Sequence, residues 1–178
     1  MALTMHRASV PMFKQTLASL SAVLDKAEAF CQENDPDPAE FIERRLAPDM
    51  FTLTQQVQRA TFHSAQAAAK LAGVDTPEFD DNQKSFADLQ TRIKFTVDFF
   101  NTLTAEQFEG SENKELEIQI RVGPLQFIGE DFLFHFAIPQ FLFHTTTAYD
   151  IIRHAGVEVM KRDFLGDAAN RKSLSGIS

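Results

Sequence analysis

Residues 129–156, GEDFLFHFAIPQFLFHTTTAYDIIRHAG, are apolar on nearly every face yet carry three histidines, a glutamine and a mid-run proline. A surface helix confines its apolar residues to one stripe, so a helix this greasy belongs inside a bundle or between subunits. Its few polar groups then lie where water is scarce, which is where binding or chemistry is placed. Pro139 lacks an amide proton and its ring crowds the carbonyl of His135, four residues back, so the helix is expected to kink or break there. Gly156 is expected to end it.

Working outward, three more long helical patterns precede this one. The first has Ser9 as cap candidate and Pro11 in its first turn, then Met12, Leu17, Leu20, Val23, Leu24, Ala27 and Cys31 at three- and four-residue spacing, ending near Glu33. Asp37-Pro38-Ala39-Glu40 repeats the start signal for a short helix reaching about Leu46. Asp49 is the expected cap of the second long helix, with the stripe Met50, Leu53, Val57, Ala60, Ser64, Ala67 and Leu71, closed by Gly73. Small residues dominate its second half, so a neighbour can approach closely. The third shows Phe86, Leu89, Ile93, Val97, Phe100 and Leu103, and Thr104 with Gln107 marks a further short cap.

The period changes at Glu115–Val122, where strict alternation predicts a half-buried strand that Gly123-Pro124 turns back toward Leu125-Gln126-Phe127. The fold class expected is therefore all-α: an up-and-down antiparallel four-helix bundle over residues 1–166, with a small β-hairpin insertion before the last long helix. Within it, Gly156–Gly166 is expected to lie over the bundle as an extended strap. Residues 167–178 are expected to form a flexible C-terminal tail, having few large apolar groups to hold them.

Composition narrows the function classes. A chain of 178 residues buries roughly 70% of its unfolded surface, enough for one core. With 18 Phe, one Tyr and no Trp, the aromatic content suits a packed interior better than an exposed recognition surface. The net charge is −8 and no basic run could neutralise several phosphates, so no nucleic-acid partner is expected. The amino terminus lacks the apolar core of a secretory signal, and no apolar run is long enough to span a membrane. Cytoplasmic localisation is the expectation, and the single Cys31 reads as packing.

Several stretches carry a family resemblance: Ser9-Val10-Pro11, Arg45-Leu46-Ala47-Pro48-Asp49-Met50, Gln56-Val57-Gln58, Leu71-Ala72-Gly73, Phe143-His144-Thr145-Thr146-Thr147-Ala148-Tyr149, and Lys161-Arg162-Asp163-Phe164-Leu165-Gly166. Over residues 4–166 the chain resembles the family numbered 1993 among the domains of unknown function, a branch of the DinB/YfiT-like superfamily of four-helix bundles. The resemblance implies the bundle. It also implies that relatives often hold a divalent metal through three histidines, and that some are thiol-dependent transferases. Carried onto this sequence, the ligand of the second long helix falls near His63 and the pair on the last helix falls on Gln140 and His144. The first of that pair is thus an amide. Phe62 stands where an acidic residue is usual, and Met160 where glycine is common.

Helix geometry supports part of this carry-over. At about 100° per residue, Gln140 and His144 lie roughly 40° apart on one face, whereas His135, nine residues from His144, is about half a turn away. Gln56 and His63 share a flank of the second long helix. The candidate ligand-binding residues are therefore Gln56, His63, Gln140 and His144, with His63 and His144 as candidate metal ligands for zinc or nickel. Glutamine is a poor donor to these metals, so the alternative is a buried His144 held by a hydrogen bond from Gln56 or Gln140, with Thr145–Thr147 satisfying local carbonyls. His154 reads as a helix-dipole residue. No HExxH, GxSxG, phosphate-binding glycine loop or cysteine pair is present.

Two functions remain. One is a protein that binds a small apolar or thiol ligand, or a second copy of itself; the six Phe between Phe127 and Phe143 exceed what one buried face needs and point to a homodimer. The other is a divalent-metal-dependent enzyme of transferase or hydrolase type with a degenerate histidine site.

Overall fold

A computed structural model describes residues 3–34 and 36–166. The helix α1 (Met5–Asn34) starts five residues before the expected position, because Thr4 rather than Ser9 supplies the cap: its Oγ1 accepts from the Arg7 amide at 3.3 Å. Pro11 lies inside the helix on its solvent face, where the carbonyl of Arg7, deprived of its partner, meets water. Asp37 caps α2 (Pro38–Phe41) as its sequence signals, but the helix is one turn long. Phe41 and Ile42 are both fully buried, and the chain turns at that anchor.

The expected start of the next helix at Asp49 is also corrected. The helix α3 (Leu53–Ala72) is capped by Thr52, whose Oγ1 accepts from the Gln55 amide while Gln55 Oε1 accepts from the Thr52 amide, at 3.3 and 3.0 Å. This reciprocal pair outcompetes Asp49 because it satisfies two orphan groups together. Gly73 ends α3 in the left-handed conformation, φ 72°. Ser85 caps α4 (Phe86–Thr102), whose buried face contains Phe86, Leu89, Ile93 and Phe100 as its spacing predicts. Thr104 with Gln107 opens a 3-10 turn over Ala105–Phe108, and a second follows at Ser111–Asn113.

The strands β1 (Glu115–Ile120) and β2 (Gly123–Ile128) form the hairpin, antiparallel, with Leu116 opposite Phe127 and Ile118 opposite Leu125. Leu116 and Ile118 are buried and the intervening Glu117 and Gln119 exposed. Because Ile120 pairs with Gly123, the turn residues are Arg121 and Val122, not Gly123 and Pro124. Gly123, at φ 127°, absorbs the twist.

From α5 (Gly129–Asp131) the chain runs through a π-helical segment, Phe132–Ala137, into α6 (Ile138–His154). The interruption anticipated from Pro139 takes this form. The Ile138 amide donates to Leu133 O, five residues back, and Pro139, with no amide to place, begins the regular helix.

Each long helix packs chiefly on two others, α1 on α4 and α6, and α3 on α4 and α6, with a smaller contact between α1 and α3. Phe13, Leu17 and Leu24 of α1 meet Leu53, Val57 and Leu71 of α3, Leu89 and Phe100 of α4, and Phe141 and Ile152 of α6 in one core. Phe13 sits edge-on to Phe141, centroids 5.0 Å apart. Full burial of each such side chain contributes about 2 kcal/mol. The run of Ala60, Ala67 and Ala68, all fully buried on α3, lets α6 come close, and this seam positions the candidate site.

The expected strap is extended only as far as Met160: Val157 and Val159 are buried, and Tyr149 donates to Val159 O at 3.3 Å. The strap closes with α7 (Lys161–Leu165), held to α1 by Lys26 and Asp163 at 2.8 Å. The tail expected at 167–178 lies outside the described residues. Among the described residues no helix is long and apolar enough to cross a membrane.

Candidate functional site

The α3–α6 seam carries the polar cluster. His144 is 6% exposed, and its Nδ1 lies 2.7 Å from Oε1 of Gln56. Gln56 is itself buried, and its Nε2 donates to the backbone oxygen of Phe51 at 3.4 Å. His63, half-buried on α3, lies beside His144 with ring planes 8° from parallel and centroids 5.4 Å apart. Aromatic rings frame the pair. Phe51 lies 6.3 Å from His144, Phe143 meets it edge-on at 5.3 Å, and Phe62 meets His63 edge-on at 5.5 Å. Phe51 and Phe143 are 47% and 55% exposed, so the frame is open to solvent.

Both imidazoles are neutral at physiological pH. Burial pushes the pKa of His63 down to about 4, helped by His144 and by Arg59; burial does the same to His144, again down to about 4, with Arg59 adding to it. Arg59 is one helical turn before His63 on α3, and its guanidinium covers Phe62 at 5.6 Å and pairs with Asp81. A neutral imidazole has one donor and one acceptor nitrogen. The pair therefore offers hydrogen bonds without net charge.

Of the four residues singled out from sequence, three come together: Gln56, His63 and His144. Gln140 is partly exposed one turn before His144 and makes no hydrogen bond among the described residues. The partner that holds His144 is thus Gln56 from the facing helix, not Gln140 from its own. Thr145 and Thr147 donate to the carbonyls of Phe141 and Phe143, as expected. His135 points into solvent beside Asp131, His154 is exposed in the last turn of α6, and Cys31 is buried packing.

Sequence reasoning missed the neighbouring buried arginine. Arg92 of α4, 4% exposed, donates to Thr61 Oγ1 at 2.7 Å, Asp80 O at 2.7 Å, Gln83 Oε1 at 3.3 Å and Gln58 O at 3.2 Å, and meets Asp81 at 3.0 Å. Phe79 stacks over it at 4.6 Å. The segment between α3 and α4 is thereby clasped against the site, with Asp81 shared between Arg92 and Arg59. Nothing in a helical period signals such a residue, because an arginine on a core stripe reads as a break in the pattern.

A resident metal fits this donor set poorly. The rings of His63 and His144 are near enough to serve one ion, since a metal–nitrogen bond spans about 2 Å. However, Nδ1 of His144 is committed to Gln56, and among the described residues no group of three His, Cys, Asp or Glu side chains could hold a metal ion. The site is one strong donor short. A cleft of about 610 Å³ near Met5 and Phe108, and another of about 450 Å³ between α1 and α7, are lined by neither histidine.

The family model Domain of unknown function (DUF1993) matches residues 5–165. Among solved structures, a DinB family member protein from Shewanella denitrificans is 34% identical with a TM-score of 0.84, the match covering 90% of this chain and 91% of that one. A comparison with curated proteins finds no match.

Proposed function

This chain belongs to the DUF1993 family, and from that premise we propose that it is a DinB-like binding protein that takes a small, largely apolar ligand at the α3–α6 seam. One observation carries the reading: a neutral imidazole pair set among the open rings of Phe51 and Phe143. Aromatic faces supply apolar contact, and a few placed hydrogen-bonding groups fix orientation, which is the usual make-up of a small-molecule site. The frame we infer is an up-and-down antiparallel four-helix bundle, supported by the way each long helix packs chiefly on two others.

Nitrogen NMR of the histidine rings tests this directly. Neutral aromatic fragments added to the protein should shift His63 and His144 saturably while leaving His135 and His154 unmoved. Absence of any shift at millimolar fragment removes the reading.

The partner alternative, a homodimer, is supported by Phe134 of the π-helical segment and Leu142 and Phe143 of α6, which remain exposed. The second functional reading, a divalent-metal-dependent transferase or hydrolase, is favoured by the 5.4 Å spacing of the two rings alone. His63 and His144 would supply two ligands to zinc or nickel, and such an ion lowers the pKa of a bound water or thiol. Elemental analysis of protein purified without a histidine tag decides it: less than about a tenth of an equivalent, with no uptake on titration, rules the metal reading out.

A further inference from the structure

We propose that Gln56 locks His144 in the Nδ1–H tautomer, so that the site selects ligands presenting a hydrogen-bond donor, a hydroxyl or N–H group on an otherwise apolar body. The inference rests on the ligand reading above and specifies its chemistry.

The two ends of the Gln56 amide are not interchangeable. The backbone oxygen of Phe51 can only accept, so the NH₂ end must face it, as it does at 3.4 Å. Oε1 is then turned toward His144, 2.7 Å from Nδ1. An acceptor oxygen at that distance requires the ring proton on Nδ1. A neutral imidazole carries one ring proton, so Nε2 is left with a bare lone pair.

Nε2 is also not sealed from solvent. His144 is nine-tenths buried and its one side-chain partner among the described residues is Gln56, yet among them no buried side-chain nitrogen or oxygen lacks a hydrogen bond. An unpaired Nε2 therefore keeps some exposure to solvent. A group that donates a hydrogen bond completes it. A group with lone pairs alone meets another lone pair and is disfavoured. Gln56 never touches the ligand in this scheme; it is a positioning residue acting through His144.

Phenol and anisole test the idea, since they share a ring and an oxygen and differ in the donor. In the unliganded wild-type protein, long-range proton–nitrogen spectra should show His144 protonated at Nδ1 with Nε2 as a bare acceptor. Phenol should shift that Nε2 resonance and bind about tenfold more tightly than anisole, a ratio one modest hydrogen bond supplies. In Gln56→Met the tautomer preference and the phenol preference should both fall away, which a merely structural role would not produce. Protonation of wild-type His144 at Nε2, or equal affinity for the two probes, overturns the inference and leaves ligand binding itself standing. If neither probe moves either ring at millimolar concentration, the ligand reading falls and takes the selectivity with it, although the tautomer remains legible in the same spectra.

Discussion

His144 Nδ1 and Gln56 Oε1 meet at 2.7 Å across 88 residues of sequence, joining α6 to α3 through a bond between two buried polar side chains. Such a bond is worth little in net terms but is costly to break, because each partner would be left buried and unpaired. The same logic governs the pH response of the site and the buried arginine beside it.

Acid should unfold the protein through this pair. Both folded-state pKa values are depressed to about 4 from 6.5, so the unfolded chain binds more protons across that window. Stability is fully present above pH 6.5 and is lost as pH falls toward 4. At pH 4.5 the loss should be on the order of 2 kcal/mol per imidazole relative to pH 7, less for the partly exposed His63. Urea unfolding at the two pH values measures it, and His63→Phe should flatten the dependence.

Arg92→Met should destabilise by about 2–4 kcal/mol, since Thr61, Asp80, Gln83, Gln58 and Asp81 all lose a charged donor. Arg92→Lys should recover little, because one ammonium cannot span the spread of acceptors that the guanidinium fork reaches. Hydrogen exchange should localise the damage to residues 74–84.

Gly129→Ala should cost more than Gly110→Ala. A Cβ at Gly129 would collide with the backbone oxygen of Ser111, so backbone has to move. At Gly110 the space is open and only the left-handed conformation, φ 73°, resists, for about 1 kcal/mol. Thermal melts of the two variants should rank them in that order.

Phe132 and Phe141, two of the six phenylalanines from which a homodimer is expected, are 1% and 0% exposed and belong to the core. Phe141→Ala should therefore lower stability by about 3–5 kcal/mol. Phe134, 38% exposed, is the residue to change at the surface. Light scattering at tens of micromolar should give twice the 20.0 kDa chain mass, falling to one chain in Phe134→Glu with the melting temperature nearly unchanged. A monomeric wild-type protein ends the dimer idea.

Local periodicity was enough for much of this molecule. The stripes of α3 and α4, the alternation of β1 and the breaker Pro139 are statements about neighbours three, four or two residues apart, and their physics is contained in the segment itself. Where two local signals competed, as Asp49 against Thr52 or Gly123-Pro124 against Arg121-Val122, the outcome turned on pairing that the local pattern leaves open: the reciprocal bonds of Thr52 with Gln55, and the strand register.

The site divides in the same way. In the sequence, His144 stood out as a polar group on an otherwise apolar helix, His63 came from the family resemblance, and Gln56 from sharing a flank of its helix with His63. Which of them touch was decided by the close approach of α3 and α6 over the buried alanines, which set Gln56 rather than Gln140 against His144. Phe51, Phe143 and Arg92 entered only through the tertiary structure. A hydrogen bond between helices, a ring laid over an imidazole and a charge clasped by a loop all depend on how elements are placed in space, and no periodicity within one element encodes that.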